Sequence, residues 1–211
     1  KAVIELTIRA PIVVVRAGEG RYQTPNGHHR LAAMRDNGAR AITALLVPEA
    51  ETALEILALN TEKAHNLKEK SLEVVRMFRA LALPGSQPES AYALYFEEPS
   101  FVTLGLCYEK NSRFSGGAYA PVLKRVEAFQ DRSLPDCLKE REARAAILLE
   151  LDGLVAEAVA KLKARGLQSA YLKPFVVARI NPLRFMKGDY PPVDEVLATM
   201  VERARGFDPA R

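Results

Sequence analysis

A glycine that has to turn the chain between an apolar strand and a helix constrains this sequence more than any other feature. Asn26-Gly27 is that turn, because both residues tolerate positive φ. Upstream, Ile12 to Arg16 and Arg21 to Thr24 read as strands, closed into a hairpin by Gly18-Glu19-Gly20. Downstream, Leu31, Ala32 and Met34 are good helix formers, and Gly38 stands where a helix from His28 to about Asn37 would end. A helix start presents N–H groups without intrahelical partners and the positive end of a dipole. His28, His29 and Arg30 add side-chain donors at the same place. The stretch therefore predicts a phosphate-binding turn. It reads equally as an ordinary hairpin-to-helix junction with surface histidines, since no glycine-rich loop accompanies it.

Around this turn the chain predicts an α+β protein: a small mixed sheet followed by a mainly helical region. Ile4 to Ile8 is a further strand, and Ala41 to Val47 a buried one stopped by Pro48. Ala50 to Leu59 reads as a helix, Asn60 to Asn66 as a polar link, and Lys68 to Ala82 as a long helix. Leu72, Val75, Met77, Phe78 and Leu81 are its candidate core positions. Pro84-Gly85-Ser86-Gln87-Pro88 is the clearest linker, which predicts domains at residues 1–83 and 84–211. The second part reads as helices over Phe101 to Glu109 and Ala118 to Gln130, then two more within Leu138 to Arg165, split at Asp152-Gly153. Tyr171 to Ile180 reads as extended, and Pro192 to Arg205 as a last helix.

A chain of 211 residues can bury roughly 70% of its unfolded surface without metal or disulfide. Cys107 and Cys137 match no zinc or redox spacing, which suits buried thiols in a reducing cytoplasm. No apolar run approaches the ~18–20 residues of a membrane span, and Lys1 to Leu6 does not read as a signal peptide. The net charge of +4 is compatible with a nucleic-acid or nucleotide partner. Lys161 to Lys187 concentrates that charge, with Tyr171, Phe175 and Phe185 interleaved and no acidic residue. Lys173, Arg179, Arg184 and Lys187 are its candidate nucleic-acid contacts, rewarded by counterion release. The alternative is a core of Phe175, Val176, Val177, Ile180 and Phe185 with the cations on a solvated face.

Pro11-Ile12-Val13-Val14-Val15, Gly20-Arg21-Tyr22 and Gly27-His28-His29-Arg30-Leu31-Ala32-Ala33 together resemble the amino-terminal domain of ParB-type partition proteins. Gly27 and Arg30 match that family's turn, while His28 and His29 stand at its Glu-Arg positions. The related sulfiredoxin turn carries a cysteine where this chain has His28, so reductase chemistry is not implied. Asn60-Thr61-Glu62-Lys63 and the residues from Leu67 resemble the segment that lines the nucleotide in ParB proteins. The resemblance implies a ParB/sulfiredoxin-like domain binding a nucleoside triphosphate, CTP ahead of ATP, with Mg²⁺. Its contacts would be Gly27, His28, His29, Arg30, Asn60, Lys63 and Asn66. It also implies DNA association in plasmid or chromosome partition, a helix-turn-helix in Phe101 to Phe129 (degenerate here), a homodimer, and slow hydrolysis acting as a switch. Two other classes stay open on the same fold. A phosphotransferase would draw its base from Glu62 or Glu49, and a nuclease would need clustered carboxylates. An interaction module would use no nucleotide.

Overall fold

The computed structural model describes residues 11–16, 20–48, 55–56, 66–83 and 85–209, the side chain of His28 excepted. The strand expected at Ile4 to Ile8 and most of the helix expected at Ala50 to Leu59 lie outside the described residues. The protein is α+β, a small mixed sheet followed by a helical region. Contacts divide the chain into two compact units, Lys1–Ala64 and His65–Arg211. The division falls before the long helix rather than at the Pro84 to Pro88 linker, because that helix buries its apolar face among the helices that follow it.

In the first unit, β1 (Ile12–Arg16) is the central strand, antiparallel to β2 (Tyr22–Asn26) and parallel to β3 (Ala44–Val47). Helix α1 (His28–Asp36) makes the crossover that a parallel neighbour requires. The β1–β2 register shifts between Val13 and Val15, opposite Thr24 and Pro25. Pro25 has no N–H to give a ladder, and an irregular edge strand is where a proline fits. Thr24 Oγ1 lies 2.8 Å from the carbonyl oxygens of both Val13 and Asn26, holding the irregularity from the side chain.

The second unit is helical. Asn66 caps α2 (Leu67–Leu81), its Oδ1 accepting from the Glu69 N–H at 3.0 Å. Val75, Met77 and Phe78 are buried as the pattern predicts, but Ser71 and Val74 take the inner places expected of Leu72 and Leu81. The reason is the neighbour. Helix α4 (Pro99–Lys110) crosses α2 so closely that a Cβ on Gly105 would overlap the Ser71 carbonyl and the Val75 side chain. Only small residues fit at that crossing. A 3₁₀ turn (Glu89–Tyr92) and the single-turn α3 (Ala93–Phe96) lead into α4, whose residues from Val102 to Tyr108 are buried all round. Against it pack α5 (Gly116–Val126) and α6 (Leu134–Ala164).

Helix α6 runs unbroken through Asp152-Gly153, where the sequence predicts a break. Gly153 faces solvent and costs about 1 kcal/mol relative to alanine. Leu148, Leu151, Val155, Ala158 and Leu162 are buried along the same helix and outweigh it. Leu172–Ile180 is helix α7, not an extended segment. The β propensity of Val176, Val177 and Ile180 gives way to burial of those side chains against α6 and α8 (Val193–Arg205).

A wholly buried arginine ties these pieces together. Arg141 on α6 donates from Nε to Glu89 Oε1 at 2.9 Å, and from Nη2 to Glu89 Oε2 at 3.1 Å and the Ala128 carbonyl at 3.0 Å. Its Nη1 lies 3.0 Å from Glu127 Oε2, off the line of a hydrogen bond. Glu127 Oε1 accepts from Thr103 Oγ1 on α4 at 2.6 Å. Burial pushes the Glu127 carboxyl above its ordinary range, opposed by the Arg141 charge and the Thr103 hydroxyl. Both cysteines are buried free thiols; burial, with Glu127 nearby, pushes Cys107 up to about 12, and burial, with Glu89 nearby, pushes Cys137 to about 11.

Two stability predictions come from this packing. Arg141→Leu strands two buried carboxylates and should cost about 3–5 kcal/mol in urea unfolding. Gly105→Ala should cost about 1–3 kcal/mol by forcing α2 and α4 apart; an unchanged midpoint would show that the crossing is not tight.

Candidate functional site

The turn at Gly27 is built as the strand–helix reading predicts. Gly27 sits at φ 102 and ψ 13, the left-handed region, as the residue before α1. Two constraints require glycine there. The positive φ strains any L side chain, and a Cβ would stand 2.6 Å from Ile12 Cγ2 and 2.8 Å from Ile12 Cβ. The cap being a glycine, no cap side chain covers the helix start. The amide dipoles of α1 are directed at this end of the helix.

Arg30, half-buried, donates from Nη1 to the Pro11 carbonyl at 2.8 Å, which braces the helix start against the edge of β1. It therefore has a structural role in addition to its charge, one the sequence does not signal. His29 is exposed at the same turn. Asn60 and Lys63 lie outside the described residues, as do Glu49 and Glu62. Asn66 belongs to the second unit and uses its side-chain oxygen to cap α2.

Beside the turn, one face of the sheet opens into a cavity of about 450 Å³. Ile12 and Val14 of β1, Tyr22 of β2 and Leu46 of β3 contribute to it, with Leu31 and Arg35 from α1. The alternation of a strand puts these side chains on one face. Ile12 is shared: it lines the cavity and abuts Gly27. An apolar cavity with a cationic residue therefore adjoins a cationic helix start within the same unit.

In the second unit the four candidate nucleic-acid contacts separate into two kinds. Lys173 Nζ sits 2.7 Å from Asp152 Oδ1 on α6 and 3.1 Å from Ser115 Oγ. The same carboxylate oxygen accepts from Tyr119 Oη at 2.8 Å, and burial, with Asp152 beside it, raises the Tyr119 phenol so that it stays a donor. Lys173 is thus neutralised from a different helix. Arg179 is half-buried, its guanidinium 5.5 Å from the Phe207 ring centroid. Arg184 and Lys187 are exposed, in and just after the 3₁₀ turn Pro182–Phe185.

The aromatics of this stretch are not core. Tyr171 is 77%, Phe175 51% and Phe185 86% exposed, while Leu172, Val176, Val177 and Ile180 fill the interior. The helix pair expected over Phe101 to Phe129 corresponds to α4 and α5, joined by the turn from Asn111 to Ser115. The first two turns of α5 hold no Arg, Asn or Gln to read a base edge. Its later cations are engaged, Lys124 with Glu98 at 2.5 Å and Arg125 with the Leu183 carbonyl at 3.3 Å.

No family model, no curated protein and no solved structure matches the chain. Among the described residues no helix is long and apolar enough to cross a membrane.

The glycine requirement is directly testable. Gly27→Ala should destabilise the first unit by about 1–3 kcal/mol, read as faster hydrogen exchange of the β1 and β2 amides. Unchanged exchange there would show that the turn accommodates a side chain.

Proposed function

We propose that this protein is a ParB-like nucleotide-binding, DNA-associated protein of the cytoplasm in which the nucleotide acts as a switch. The observation that carries the reading is the left-handed Gly27 at the start of α1, flanked by His28, His29 and Arg30 and adjoining an apolar cavity. Phosphates would lie at the helix start, where backbone dipoles and cations favour negative charge. The apolar cavity would take the base, CTP by resemblance, with Asn60 and Lys63 as further phosphate contacts. By the same resemblance Mg²⁺ would accompany the nucleotide; among the described residues no group of three or more His, Cys, Asp or Glu could hold a metal ion. By resemblance the protein would associate with DNA in partition, as a homodimer; the exposed cations Arg184 and Lys187 favour the DNA contact alone.

No described residue group favours a phosphotransferase or a nuclease over this reading. Calorimetry with CTP, ATP and GTP, each with and without Mg²⁺, tests it. His29→Ala leaves the Arg30 brace in place and should weaken triphosphate binding several-fold. Arg30→Ala should abolish it, since it removes both charge and brace. If both variants bind CTP and ATP like the parent chain, or the parent binds none, the nucleotide reading is wrong. Turnover without DNA would instead favour an enzyme.

A further inference from the structure

Helix α7 is amphipathic the wrong way round. Leu172, Val176, Val177 and Ile180 are buried, yet the opposite face is not polar: Tyr171, Pro174, Phe175 and Ala178 are all exposed. These four fall at i, i+3, i+4 and i+7, one continuous stripe. In the 3₁₀ turn that follows in sequence Phe185 is exposed as well, with the Arg184 guanidinium 5.2 Å from its ring centroid. Single exposed apolar residues need no explanation, but three exposed aromatics in one short segment do.

The surrounding charge says what covers them. From Lys161 to Lys187 there are seven cations and no acidic residue. Asp152 takes up Lys173, and Arg179 is half-buried over Phe207. Lys161, Lys163, Arg165, Arg184 and Lys187 are exposed and make no ion pair with any described residue. A second copy of this segment would bring like charges together, which is costly. A polyanion is attracted. Duplex DNA offers phosphates but keeps its bases stacked inside, so it would leave the aromatic faces unused. Unpaired bases can be splayed onto aromatic rings while cations track the backbone.

We propose that the α7 face and the Pro182–Phe185 turn bind single-stranded nucleic acid, with bases stacking on Tyr171, Phe175 and Phe185 and phosphates meeting Arg184 and Lys187. This deepens the DNA association proposed above and rests on it. It does not depend on nucleotide binding in the first unit.

Fluorescence anisotropy of the 211-residue chain decides it, using a labelled oligothymidylate of about 20 nucleotides and a mixed-sequence duplex of equal length. The single strand should bind more tightly than the duplex. Tyr171→Ala/Phe175→Ala alters exposed side chains only. It should lower single-strand affinity at least about tenfold and leave duplex affinity and the melting temperature unchanged. Arg184→Ala/Lys187→Ala should reduce the slope of log K against log salt for the single strand by about 1.4. Unchanged single-strand affinity in the aromatic variant overturns the proposal. So does duplex binding without single-strand binding, which leaves DNA association standing; binding of neither removes both. A concentration-dependent dimer of the parent chain that Phe175→Asp dissolves would make the stripe a self-association surface and also overturn it.

Discussion

Arg141 holds a charge where there is no water, and much of the helical unit is arranged so that it can. Its guanidinium meets the Glu89 carboxylate from the 3₁₀ turn, the Ala128 carbonyl and the Glu127 carboxylate after α5, while Glu127 is itself held by Thr103 of α4. Segments far apart in sequence are therefore fixed to α6 by one side chain. Taking ions out of water is expensive, and such a group persists only where partners compensate it. The network accordingly specifies one arrangement of these helices rather than adding a large net stability. Gly105 complements it, letting α2 and α4 approach until backbone meets backbone.

The sheet unit depends on a smaller version of the same logic. Gly27 lets the chain leave β2 and start α1 in contact with Ile12, and Arg30 closes the junction by donating to the Pro11 carbonyl. The constraint that forms the turn also puts a residue without a side chain at the cap of α1. Architecture and the proposed phosphate site are one feature seen twice. Within the helical unit, by contrast, the surface of interest is what packing leaves over. Once Val176, Val177 and Ile180 face inward, the helical period forces Tyr171 and Phe175 outward.

Sequence by itself determined the local pieces. The Asn26-Gly27 turn, the hairpin before it, the helix after it and the helices at Leu67–Leu81, Pro99–Lys110 and Val193–Arg205 all follow from residue preferences and periodicity. Those signals are local, so local rules read them. Tertiary structure decided the rest. Whether Asp152-Gly153 breaks a helix, and whether a valine-rich run is strand or helix, depended on which faces could be buried against neighbours. Whether Lys173 faces solvent depended on a carboxylate that no sequence spacing announces, brought to it by the packing of α6 on α7. Burial and charge pairing are sums over partners distant in the chain, and only the folded arrangement says which partners those are.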